Sequence, residues 1–156
     1  MKGYLLDTNL LIALLWPSHE RHDAALKWFA GHRGKGWATC PFTEAGFVRI
    51  VSNPAFSRDA VQPREAIQVL SANTAAKDHE FWPDELPVAG AVAFSGVRLV
   101  GHQQVTDAYL LGLAMRRGLS APTPFQVKGG LVVFQLPADS PRVTTAEVRK
   151  IEAEGA

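Results

Sequence analysis

The chain has 156 residues and a formal net charge of +1; 47% of its residues are hydrophobic, 20% are charged, and Cys40 is its one cysteine. A chain of this size and composition is expected to fold as one domain with a real core, which excludes extended disorder; the lone cysteine excludes an internal disulfide or a cysteine-built zinc site and fits an intracellular setting. The near-neutral balance leaves a nucleic-acid partner open, because such a partner needs a local basic face rather than a basic total.

Residues 3–6, Gly-Tyr-Leu-Leu, are continuously apolar, as in a strand buried on both faces of a parallel sheet. A helix is predicted from Thr8 or Asn9. Its apolar run, Leu10 to Trp16, is far too short to cross a bilayer, and Asp7 and Asn9 interrupt the N-terminal segment. Neither a membrane span nor a signal peptide is expected, and the protein reads as soluble and cytoplasmic. Ser18 is a candidate N-cap for a second helix carrying Ala25, Leu26, Trp28 and Phe29. His19 and His22 have helical spacing and are expected on an exposed surface, since nothing is placed to complete a zinc site with them. Residues 36–40, Gly-Trp-Ala-Thr-Cys, predict a strand stopped by Pro41, with Thr43 capping a helix through Phe47, Val48, Ile50 and Val51 that ends at Asn53-Pro54.

Pro63 suits the first position of a helix over 63–73, and residues 79–87, His-Glu-Phe-Trp-Pro-Asp-Glu-Leu-Pro, read as a polar connector with two buried aromatics. A helix or edge strand should follow, then a strand over 97–101 and a strong helix capped by Thr106. A loop with two prolines and two glycines precedes a final strand, Leu131 to Phe134. The tail carries a capping box, Thr144 to Glu147, at the start of a short charged helix. Strands alternating with helices give an α/β fold with a mainly parallel sheet, placed over residues 1–135, with 136–156 as a tail. The aromatics Trp16, Trp28, Phe29, Trp37, Phe42, Phe47, Phe81 and Trp82 are expected to be mostly core.

Three acids share one pattern, a short apolar or aromatic segment followed by an acid at or near a helix start: Asp7 in LLDTN, Glu44 in CPFTEAG and Asp107 in QVTDAYL. Each alone is satisfied by helix capping, because first-turn N–H groups and the helix dipole favour an acid. In an open parallel sheet, however, strand C-terminal ends and helix N-termini face one crevice, where three carboxylates would repel unless a cation joined them. No lysine or arginine recurs beside these positions. All-oxygen donors suit Mg²⁺ or Mn²⁺, and such an ion supports phosphodiester hydrolysis.

The segments LLDTNLLIALL, WATCPFTEAGFVRIVSNP and GHQQVTDAYLLGLAMRRG resemble the PIN-domain ribonucleases, specifically the VapC-type toxins of type II toxin-antitoxin pairs, over residues 3 to about 118. The resemblance implies a PIN-like fold, a central parallel sheet of about five strands sandwiched between helices. It implies a Mg²⁺-dependent endoribonuclease (Mn²⁺ substituting) acting on tRNA or rRNA, a cognate antitoxin partner and a homodimer. Asp7, Glu44 and Asp107 become the catalytic metal site, with Asn9, Thr106 and Gln135 as polar support. His102, Gln104 and Arg49 are possible RNA contacts, and Trp16 and Trp28 are candidates for a groove that receives the antitoxin. The chain departs from the family where a fourth acid follows the last strand: it has Gln135 in LVVFQ, with Asp139 four residues on. A weakened or single-metal site, rescue by Asp139, and a PIN domain that binds antitoxin or RNA without cutting all stay open. An aspartyl phosphotransferase with Asp7 as nucleophile is a further alternative, disfavoured by Asn9 where that chemistry wants an acid.

Overall fold

The computed structural model describes residues 3–118, 125–128 and 131–134. The described residues fall into two compact units, Gly3–Trp82 and the residues from Pro83 onward. Gln135, Asp139 and the Thr144–Glu147 capping box lie outside the described residues.

The first unit is built from β1 (Tyr4–Leu5), α1 (Thr8–Leu15), α2 (His22–His32), β2 (Trp37–Thr39), α3 (Pro41–Val51), α4 (Pro63–Thr74) and β3 (His79–Phe81). The three strands run parallel in the order β1-β2-β3, with Tyr4 opposite Trp37 and Trp37 opposite His79. After Thr8 and Asn9, helix α1 is apolar all round, and Leu10, Leu11, Ile12, Ala13 and Leu14 are all buried. It packs with Leu6, Phe47, Ile50, Val51 and Leu70 into one cluster. A helix hydrophobic on every side has to be covered on every side, which places α1 at the heart of the unit.

The helix starts differ from expectation in instructive ways. Ser18 lies in a turn, and α2 begins only at His22, because His19 organises the turn before it: its Nδ1 accepts the Arg21 N–H at 3.1 Å and its carbonyl accepts the His22 N–H at 2.9 Å. Neither histidine sits on an exposed helix face. His22 Nδ1 donates to the Ala13 carbonyl at 2.9 Å, which pins α2 to the end of α1. Helix α3 begins at Pro41 with Cys40 as N-cap, and Thr43 reaches back one turn to accept the Cys40 N–H at 3.0 Å. Pro63 opens α4 as expected, and Glu65 accepts the Gln62 N–H at 2.8 Å.

The connector over 79–87 contains strand β3, and of its two aromatics Trp82 is buried while Phe81 is 49% exposed. Phe42, the second residue of α3, is also exposed, contrary to the core expectation.

The second unit contains α5 (Val88–Ser95), α6 (Val105–Arg116) and an antiparallel pair, β4 (Phe125–Lys128) with β5 (Leu131–Phe134). Part of the expected proline- and glycine-rich loop is therefore strand. Residues 97–101 form no strand: the Val100 N–H goes to the Gln104 side chain at 2.8 Å instead of to a neighbouring strand, and Val100 is 78% exposed. Helix α6 starts at Val105, out of a 3-10 turn over His102–Gln104, so Thr106 lies inside its first turn rather than capping it. Helices α5 and α6 pack closely where Gly112 meets Ala91; a Cβ on Gly112 would stand 2.2 Å from the Ala91 carbonyl oxygen.

Burial holds the His19 imidazole below the ordinary histidine range, opposed by Glu20 and reinforced by Arg21 and His22. With the folded-state value lowered, the unfolded chain takes up the proton first as pH falls, so stability declines below about pH 6.5. Protonation also removes the lone pair that accepts the Arg21 N–H. Thermal melts from pH 7.5 to 5.5 should show this decline, and it should be shallower in His19→Asn, whose side-chain oxygen accepts the same N–H without titrating. An unchanged slope in the variant would remove His19 from the account.

Candidate metal centre

Asp7 follows β1 and is the N-cap of α1. Its Oδ1 accepts the Leu10 N–H at 2.7 Å, and its backbone is extended, as a cap requires. Two residues on, the Asn9 Oδ1 is buried with no hydrogen-bond partner. Buried carbonyl-type oxygens are rarely left unserved, so this atom awaits a hydrogen or a cation.

Glu44 stands in the first turn of α3, directly after β2. Its Oε1 accepts the hydroxyl of Thr39 at 2.6 Å, and the same hydroxyl oxygen lies 2.8 Å from His79 Nε2. Thr39 is fully buried. Burial lowers the His79 proton affinity, against opposing contributions from Glu44, the Thr74 backbone, Asp78 and Glu80. Nothing in the sequence pairs Thr39 with His79 across 40 positions; the β2–β3 register does, since it sets His79 opposite Trp37 and the two-residue period of a strand puts Thr39 on the same face.

The starts of α1 and α3 are brought together by a missing side chain. At Gly46 a Cβ would lie 2.5 Å from the Thr8 hydroxyl oxygen, and that hydroxyl donates to the Thr43 carbonyl at 3.4 Å. Beyond Glu44, α3 and α4 border an open groove of about 500 Å³ lined by Glu44, Val48, Arg49, Ile67 and Leu70. Arg49 is exposed and shares that groove with Glu44.

Asp107 is in the first turn of α6 in the second unit, half-buried, beside an exposed Thr106. His102 is exposed in the preceding turn, whereas Gln104 is buried and braces that turn through Val100. Trp16 and Trp28 are partly buried against the first unit's core; Trp28 stacks on His32 at 4.7 Å and Trp16 meets Phe56 edge-on at 5.4 Å.

Among the described residues no three His, Cys, Asp or Glu side chains are grouped as a metal site. The donors that the first unit does supply are two carboxylates at helix starts and one unserved amide oxygen. Taken one by one, these are oxygen donors of the kind that a hard divalent cation such as Mg²⁺ or Mn²⁺ accepts. No helix among the described residues is long and apolar enough to cross a membrane.

An acid capping the helix after a first parallel strand and a second acid opening the helix after the next strand define an α/β domain with its polar residues at the strand ends. The PIN domain model matches residues 4–123, a span that includes all three acids. Ribonuclease VapC39 of Mycobacterium tuberculosis is 46% identical over 114 residues, covering 73% of this chain and 82% of that protein. Ribonuclease VapC38 of the same organism is 44% identical over 119 residues, 76% of this chain and 82% of the relative, and Ribonuclease VapC44 is 40% identical over 111 residues, 71% and 78%. The chain belongs to the PIN-domain family, among its VapC-type proteins.

Proposed function

We propose that this protein is a divalent-metal-dependent endoribonuclease, using Mg²⁺ with Mn²⁺ able to substitute, that cuts structured RNA such as tRNA or rRNA as the toxin of a type II toxin-antitoxin pair. The observation that carries the reading is the 46% identity, over 114 residues, to a protein named a ribonuclease, VapC39. Asp7, Glu44 and Asp107 would hold the ion, with Asn9 and Thr106 orienting its waters. A divalent ion so held neutralises phosphate charge and makes a bound water a stronger nucleophile at neutral pH.

The chain's own groups do the rest. The Leu10 N–H fixes one Asp7 oxygen and the Thr39 hydroxyl fixes one Glu44 oxygen, so both carboxylates are oriented before any ligand arrives. The buried, unserved Asn9 Oδ1 would accept a hydrogen from a water at the site and limit how that water can turn. Exposed Arg49 and His102 offer donors to RNA phosphates, a contact that positions the strand without reading its sequence. A cognate antitoxin would occupy the partly apolar surface near Trp16 and Trp28, and the working form would be a homodimer.

Purified protein incubated with total RNA should give discrete fragments in Mg²⁺ or Mn²⁺. Chelation by EDTA should abolish them, and restoring Mn²⁺ should bring them back. Cleavage that persists in EDTA would overturn metal dependence. A protein that binds RNA or an antitoxin peptide but cuts in neither metal would favour the non-cutting PIN domain, the reading to which Gln135 points.

A further inference from the structure

We propose that Thr39 and His79 are positioning residues for Glu44: His79 donates from Nε2 to the Thr39 hydroxyl oxygen, which obliges that hydroxyl to donate to the Glu44 carboxylate and so fixes one of its oxygens. The inference rests on the reading of Glu44 as a ligand of the metal centre.

The argument is a count of hydrogens. Thr39 Oγ1 carries one hydrogen and lies between Glu44 Oε1 at 2.6 Å and His79 Nε2 at 2.8 Å. A carboxylate only accepts, so the hydroxyl hydrogen goes to Glu44 and the hydroxyl lone pair receives a hydrogen from Nε2. Were Nε2 the bare nitrogen, it would compete for the same hydrogen and leave two oxygens facing each other at 2.6 Å without one. The Thr74 backbone also draws on the ring. A neutral imidazole has a single hydrogen to give; on Nδ1 it would leave the one Thr39 hydrogen shared between Nε2 and Glu44, whereas on Nε2 it serves the Thr39 oxygen and frees the hydroxyl hydrogen for the carboxylate, the charge-assisted and stronger bond.

The three groups sit on separate elements, Glu44 on α3, Thr39 on β2 and His79 on β3. Thr39 is fully buried and β-branched, so its hydroxyl has few orientations. The His79 ring packs on Trp37 with centroids 4.4 Å apart, which fixes the plane from which Nε2 donates. With Oε1 committed to Thr39, the Glu44 carboxylate cannot swing freely, and its second oxygen is presented in one orientation. Groups that hold a metal-binding carboxylate in this way typically change metal affinity or activity by about 10–100-fold when removed.

The test uses the full chain and four variants. Thr39→Val keeps the branched shape and loses the hydroxyl; Thr39→Ser keeps the hydroxyl. His79→Phe keeps a ring against Trp37 and loses the donor; His79→Gln places an N–H near the Nε2 position. Imidazole ¹⁵N spectra of wild type at pH 7.5 should show His79 Nε2 protonated, and Thr39→Val should shift that resonance toward the unprotonated range. Mn²⁺ binding, followed by the paramagnetic resonance of free Mn²⁺, should weaken roughly 10–100-fold in Thr39→Val and His79→Phe, with RNA cleavage falling in parallel, while Thr39→Ser and His79→Gln recover most of the wild-type binding. Thermal melts establish folding, and His79→Phe at its half-buried site carries the test if Thr39→Val does not fold. An unprotonated Nε2 in the wild type overturns the proposal. So does Mn²⁺ binding undiminished in folded His79→Phe while wild type binds and cuts, a result that leaves the nuclease reading standing. Wild type that neither binds Mn²⁺ nor cuts RNA overturns both.

Discussion

Asp7→Asn should abolish RNA cleavage, by at least about 100-fold, while leaving the protein folded. The two roles of Asp7 separate cleanly. As the N-cap of α1 it needs only an oxygen to accept the Leu10 N–H at 2.7 Å, and asparagine supplies one. Asparagine caps about as well as aspartate, so the loss is limited to the charge–dipole term of roughly 0.3–1 kcal/mol, or about 1–4 °C of melting temperature. As a metal ligand the residue needs its negative charge, which asparagine lacks. Asp7→Ala removes both functions and should lose about 1 kcal/mol more through the uncapped helix start. Cleavage rates read beside thermal melts decide the matter. Near-wild-type cleavage by a folded Asp7→Asn protein would remove Asp7 from the metal centre and leave it a cap.

Gly112→Ala should destabilise the second unit by about 3 kcal/mol, seen as a melting temperature lower by roughly 10 °C. The sign makes this prediction severe, since helix propensity alone favours alanine over glycine by about 1 kcal/mol in a helix interior. Packing overrides propensity here. The new Cβ would stand 2.2 Å from the Ala91 carbonyl oxygen, 2.7 Å from its carbon and 2.9 Å from its Cα, and these are backbone atoms that no rotamer change can move aside. Helix α5 would have to back away from α6 along its whole contact, opening space around Ala91 and Leu113, both of which are completely buried. A variant as stable as wild type would show that the two helices separate at little cost.

Much of this was legible along the chain where local chemistry decides. Proline at the first position of α4, the apolar run Leu10–Leu15 of α1 and the acids at helix starts depend on neighbours within one turn. Reading failed where the deciding partner was distant or unusual. Thr43 reads as the cap of α3, yet Pro41 takes the first helical place and Thr43 serves from inside the turn. The strand His79–Phe81 shows no alternation a reader could trust, because its identity comes from hydrogen bonds to β2 rather than from its own pattern. Residues 97–101 have a strand's composition but give the Val100 N–H to a side chain, so composition misled. The Thr39–His79 pairing could not be found at all without the register that brings positions 40 apart onto one face. At the candidate site, Asp7 and Glu44 are legible from the helix starts they occupy, and Asn9, next to that first start, carries a buried oxygen without a partner. Thr39 and His79 escape a reading of the sequence, since a buried threonine and a strand histidine look like ordinary interior residues.

The contact between Thr8 and the bare backbone of Gly46 has a consequence for how the first two acids respond to their surroundings. The two helix starts meet there through uncharged groups, a backbone approach that a Cβ would block and the Thr8 hydroxyl donating to the Thr43 carbonyl. Contacts between uncharged groups are indifferent to ionic strength and to carboxylate protonation, so salt that screens the two carboxylates would weaken a bound cation without altering where the helix starts stand. The reorganisation that an incoming cation would otherwise have to drive is in this respect completed during folding.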